Sequence, residues 1–131
     1  MKYWIIALPR TRLELCAKLG VFGLNRKFVL GHASIGDPIV FYVSGEKKVA
    51  GFGEITKLYF LDDEPIFGDG PLYPDRVGFK TKLLPRAQQF DFEQFVPKLK
   101  FVKNPKYWSV HLNSSIAEIT ADDWNLISQS V

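Results

Sequence analysis

With 131 residues, of which 47% are hydrophobic, the chain has enough apolar material to close one core without covalent or metal staples. Its lone Cys16 excludes an intramolecular disulfide, and no grouping of Cys and His has the spacing of a zinc site. The net charge of +3 is too small to argue by itself for an anionic partner.

One domain over residues 1–131 is expected, in the cytoplasm. The apolar run from Lys2 to Leu8 is too short for a signal h-region, and Pro9, Arg10 and Arg12 interrupt it at once. Charge is sorted along the chain. Five acidic residues and no basic one lie between Leu58 and Asp75, whereas Arg76 to Lys106 holds eight basic residues against Asp91 and Glu93. Such blocks are either solvated faces or a stripe that meets phosphates.

In chain order, Lys2 to Leu8 is rich in aromatic and β-branched residues and reads as a buried opening strand. Thr11 followed by Glu14 fits a capping box, and Leu13, Cys16, Ala17 and Leu19 form a helical stripe that stops at Gly20. The stretch from Gly20 to Asn25 follows neither period and reads as a shaped loop presenting Phe22 between two glycines. After the turn Ile35-Gly36-Asp37-Pro38, the residues Ile39, Phe41 and Val43 alternate with Val40, Tyr42 and Ser44, the mark of a strand with two faces. Ser44-Gly45-Glu46 then turns the chain into a hairpin partner from Lys48 to Lys57, and Gly51 and Gly53 inside it signal tight curvature.

Leu58 to Pro74 combines Pro65, Gly68, Gly70, Pro71 and Pro74 with Tyr59, Phe60, Phe67 and Tyr73, the composition of a long irregular loop with unusual aromatic content. Arg76 to Leu84 resumes a strand that Pro85 ends, and Phe92 to Leu99 suggests a short helical turn or two. Short strands are expected at Tyr107 to Leu112 and at Ile116 to Ile119. Thr120 with Asp123 caps a final helix carrying Trp124, Leu126 and Ile127. Strands outnumber helices and nothing alternates as βαβ, which makes the fold α+β around a curved mixed or antiparallel sheet or small barrel.

Catalytic candidates are thin. His32 lies in a polar turn and His111 on an expected strand, neither beside a second imidazole in sequence. Cys16 sits on an apolar helical stripe, the setting of an inert thiol. Asp62, Asp63 and Glu64 lack calcium-loop spacing, and Gly51-Phe52-Gly53 lacks the rest of a dinucleotide fingerprint, so no metal and no cofactor is expected. Binding is better provided for. Aromatic faces that can stack on a base, with amide and cationic neighbours, occur in irregular segments: Phe22 followed by Asn25 and Arg26, and Phe67 and Tyr73 in the long loop.

The ordered series Tyr3-Trp4-Ile5-Ile6, Gly20-Val21-Phe22-Gly23, Gly36-Asp37-Pro38-Ile39-Val40-Phe41-Tyr42 and Val49-Ala50-Gly51-Phe52-Gly53-Glu54-Ile55, closed by Trp108 and the helix ending at Ile127, resembles the EVE domain family. That family stands with the YTH and ASCH domains among PUA-like folds, so the resemblance implies a small curved PUA-like β-barrel of mixed strands with flanking short helices. It further implies a non-catalytic module that holds a modified or flipped base of DNA or RNA in an aromatic pocket, working as a monomer or weak homodimer away from membranes. Relatives often carry Trp where this chain has Phe22, which keeps a stacking face and gives up the indole N–H. By the same resemblance Ser44 and Arg76 join Phe22, Asn25 and Arg26 at the pocket, Phe67 or Tyr73 supplies a second wall, and Trp108, Ser109 and Asn113 lie at its rim. Lys80, Lys82, Lys103 and Lys106 are the candidates for phosphate contact. Two alternatives use the same fold: an ASCH-like amidohydrolase with Lys18, Ser44 and Glu54 in its cleft, and a binder of a free nucleobase or other small molecule.

Overall fold

The computed structural model describes residues 1–24, 32–61, 75–98 and 116–129. Asn25, Arg26, Phe67, Tyr73, Lys103, Lys106, Trp108, Ser109, His111 and Asn113, and with them the expected loop over 62–74 and the strand from Tyr107 to Leu112, lie outside the described residues.

Strand β1, Tyr3–Leu8, is buried from Trp4 onward, as a continuous apolar run requires. It pairs in parallel with β3, Pro38–Val43, and antiparallel with β7, Ile116–Ile119. The sheet is therefore mixed, with strand order β2-β5-β4-β3-β1-β7, where β2 is Val21–Leu24, β4 Lys48–Leu61 and β5 Asp75–Leu83. The short β6, Phe90–Asp91, pairs with the start of β4.

Helix α1, Arg10–Leu19, follows β1 directly. The expected capping box does not form. Pro9, fixed at φ −57°, already stands at the helix N-cap, its carbonyl accepts from the Leu13 N–H at 2.9 Å, and Thr11 is left inside the first turn. Leu13 and Cys16 face the core, Leu19 is exposed, and Gly20 ends the helix in the left-handed region at φ 69° with its N–H on the Cys16 carbonyl at 2.8 Å.

The next stretch is not a loop. Val21–Leu24 forms β2, antiparallel to β5, with Phe22 opposite Val77 and Gly23 opposite Arg76. A four-residue strand with a glycine inside has almost no period of its own, so its partner strand, far away in sequence, decides its conformation. The same applies to the end of β4, which continues as strand to Leu61 instead of breaking at Leu58. Register shifts against β5 between Ile55 and Lys57 and between Lys57 and Phe60 absorb its irregular pattern. Earlier in β4, a Cβ on Gly51 or Gly53 would run into the carbonyl oxygen of Lys82 or Lys80, so these glycines permit the close approach of β4 and β5.

Alternation along the strands gives the sheet two apolar faces. One buries Trp4, Ile6, Leu8, Ile39, Phe41, Val43, Ile55, Val77 and Phe79 together with Phe22 and the α1 residues Leu13 and Cys16. The opposite face carries Ile5, Ala7, Val40, Tyr42 and Val49, covered by Phe92, Phe95 and Ile127. Phe95 lies in, and Phe92 just before, the 3-10 helix Glu93–Lys98, which forms the expected short helical turns, and Ile127 lies in helix α2, Ala121–Ser128. The α2 cap forms as expected: the Thr120 hydroxyl accepts from the Asp123 N–H at 3.1 Å. No helix among the described residues is long and apolar enough to cross a membrane.

Candidate nucleic-acid interface

Two separate regions of the sheet hold most of the described candidate residues. The first is the β2–β5 edge. Phe22 is fully buried in the α1-side core, and Arg76, opposite Gly23, is 3% exposed. The Arg76 charge reaches Cys16 in the same core: burial pushes the Cys16 thiol up to about 12, with Arg12 and Arg76 pulling the other way. Phe22 and Arg76 thus stand at successive positions of one ladder, and Phe22 presents no exposed stacking face. Ser44 begins the β3–β4 turn, and its N–H donates to the Leu8 carbonyl at 3.0 Å.

The second region lies on the opposite face and was not anticipated as a site. A cavity of about 430 Å³ is lined by Gly36, Pro38, Phe52, Gly53, Glu54 and Trp124, with the β5 residues Lys80, Thr81 and Lys82. Strand register builds it. Phe52 lies between Val40 and Lys82, and Glu54 lies between Pro38 and Lys80, so an aromatic, a carboxylate and two ammonium groups project from adjacent rows. Helix α2 supplies the remaining wall: the Trp124 ring stands edge-on to Phe52 at 5.5 Å and 88°, and packs against Tyr3 at 6.0 Å. Phe52 and Trp124 are both half-buried.

Lys80 and Lys82 are exposed, as candidate phosphate contacts must be, but they flank this cavity and not the β2–β5 core. Lys80 is engaged by Glu54 at 2.6 Å, whereas Lys82 enters no ion pair among the described residues. The hydrolase triad does not assemble here. Glu54 lines the cavity with neither Lys18 nor Ser44, and Lys18 is exposed on α1. Among the described residues no group of three or more His, Cys, Asp or Glu side chains could hold a metal ion.

Sequence reasoning missed Phe52 and Trp124 because each has a sufficient local explanation, strand curvature for one and helix core for the other. The signal available was the pair of basic residues at alternate positions of β5, which places both on one face of a strand.

A mixed, strongly curled sheet with α1 against one face and α2 against the other defines a PUA-like fold. The same fold occurs in the YTH domain of the Zygosaccharomyces rouxii MRB1 protein, solved in complex with N6-methyladenosine RNA, at a TM-score of 0.70 and 13% identity over 98% of this chain and 84% of that one. It occurs also in human THYN1, solved in complex with 5-methylcytosine-containing DNA, at a TM-score of 0.62 and 15% identity over 99% and 98% of the two chains. In sequence, the chain is 30% identical to the UPF0310 protein PH1033 of Pyrococcus horikoshii over 98% of both. Residues 2–130 match the EVE domain, and the chain belongs to that family.

Proposed function

We propose that this protein is a non-catalytic nucleic-acid-binding module that recognises a modified or flipped base of DNA or RNA in an aromatic pocket built around Phe22. The observation that carries this reading is the β2–β5 ladder, which sets Phe22 opposite Val77 and Gly23 opposite Arg76, so that an aromatic ring and a buried cation share one edge of the sheet. Two chains of the same fold, the YTH domain and THYN1 described above, are complexes with methylated RNA and methylated DNA.

In this reading a base leaves its stack, enters beside Phe22, and is read at its Watson–Crick edge by amide and backbone groups, while lysines hold the flanking phosphates. Asn25, Arg26, Ser44, Phe67 and Tyr73 would complete the walls, with Trp108, Ser109 and Asn113 at the rim. Lys103 and Lys106 would supply a salt-sensitive, sequence-independent share of the affinity. No bond is made or broken.

Calorimetric titration with single-stranded oligonucleotides carrying cytosine, methylcytosine, adenine or methyladenine at one position tests this directly. The expected result is a modification-dependent affinity that survives moderate salt and falls in Phe22→Leu, which keeps an apolar side chain on β2 while removing the aromatic ring. Stacking contributes about 1–3 kcal/mol per base, so the loss should be at least about fivefold. Equal affinity of the wild-type protein for all four oligonucleotides, erased by salt, would overturn the reading whatever the variant does.

A further inference from the structure

We infer that the cavity between Phe52 and Trp124 is a second ligand site, separate from the Phe22 region, and that it takes an aromatic base bearing a phosphate. The two sites lie on opposite faces of the sheet: Phe22 belongs to the core under α1, whereas Phe52 and Trp124 pack against the core under α2.

Size, wall chemistry and charge all point to this ligand class. A volume of about 430 Å³ falls within the range of small-molecule sites and admits one nucleotide. Its apolar walls are the half-buried rings of Phe52 and Trp124 with Pro38, which suit a planar ring. The exposed large hydrophobic residues of the described chain, Met1, Leu19, Ile35, Leu58 and Leu61, stand outside the lining.

The rim is cationic in a specific way. Lys80 is held on Glu54 at 2.6 Å, and that carboxylate also presents an acceptor to an exocyclic amino group. Lys82, next to Phe52 across the β4–β5 ladder, is exposed and carries the positive charge that Glu54 does not balance. A ring seated on the aromatic pair would therefore bring its phosphate toward Lys82.

The test is nitrogen–proton correlation spectroscopy on the full chain, following the Trp124 indole resonance, assigned with Trp124→Phe, and the Phe52 and Thr81 amides. The probes are adenosine, adenosine monophosphate, uridine monophosphate and an unmodified oligouridylate. Saturable shifts at these three positions are expected with both mononucleotides, and weaker ones with the nucleoside. Lys82→Gln should weaken mononucleotide binding roughly three- to tenfold and leave adenosine unchanged. Phe52→Leu should weaken both. Tighter binding of the oligouridylate than of the mononucleotides would identify a strand as the source of the ligand, and the reverse would identify a free nucleotide. Absence of saturable shifts with every probe, or mononucleotide binding that Lys82→Gln leaves unaltered, would overturn the inference. Because no probe is modified and Phe22 is untouched, failure here is distinguishable from failure of the reader function.

Discussion

The indole Nε1 of Trp4 donates to Oδ2 of Asp37 at 3.0 Å, in a site where both side chains are almost fully buried. The same carboxylate accepts the backbone N–H of Ser34 at 2.8 Å and of Lys2 at 3.2 Å, and so ties the start of β1 to the turn before β3. Replacing it by Ala would strand three donors, and each unsatisfied buried donor costs about 1–3 kcal/mol. Asp37→Ala should lose at least about 2 kcal/mol in urea unfolding, read as a lower midpoint with unchanged slope. A midpoint within error of wild type would show that this buried network contributes nothing.

A second link lies at the other end of β3. Arg10 forks onto Glu46, Nε at 2.7 Å and Nη2 at 2.8 Å, and also reaches the Gln89 amide oxygen at 2.8 Å, joining α1 to the β3–β4 turn. The hydrogen bond from Arg10 holds the Glu46 carboxyl below its ordinary range, with the charges of Arg10, Arg86 and Lys48 acting the same way. A depressed folded value means that the contribution is present above the unfolded value, about 4.3, and is lost as pH falls through the folded one. The melting temperature of Glu46→Gln should therefore lie below wild type at pH 7, with the gap closing by pH 3. A gap that persists at pH 3 contradicts the assignment. High salt should shrink it at neutral pH, because the pair is solvent-exposed.

Burial raises the Cys16 thiol to about 12, which makes a chemical prediction and a thermodynamic one. At pH 8 the native protein should resist Ellman's reagent and react only on unfolding. A raised folded value gives stability that is complete below the unfolded value, about 8.5, and is lost as pH rises toward the folded one. The alkaline decline of wild type above about pH 9 should therefore be steeper than that of Cys16→Ala. Rapid stoichiometric labelling of the native protein at pH 8 would show that the thiol is accessible.

Gly53→Ala and Gly45→Asn should behave differently. A Cβ on Gly53 would meet both the Lys80 carbonyl oxygen and the Phe41 ring, so β4 and β5 must separate, at about 1–3 kcal/mol. Gly45 has φ 85° with open space where a Cβ would go, and Asn tolerates the left-handed region, so that change should cost about 1 kcal/mol or less. Thermal melts of the two variants side by side are sufficient. Comparable losses would mean that conformation at the turn matters as much as the close approach of the strands.

Local chemistry alone determined several features of this protein. The apolar run of β1, the turn and hairpin joining β3 to β4, the stop at Gly20, the Thr120 cap and the burial of Cys16 all follow from residues within a few positions of one another. Two local start signals, Pro9 and the Thr11 cap, compete only two residues apart, and the proline's fixed φ sets the start. Tertiary structure alone decided that Val21–Leu24 is a strand, that β4 continues to Leu61, and that Phe22 and Lys82 serve opposite faces. It also brought Trp124 onto Phe52. These outcomes depend on which strands pair and in what register, and a shift of one residue would exchange the two faces. That choice is made by burying both apolar surfaces of the sheet at once, a condition on the whole chain that no short window of sequence contains.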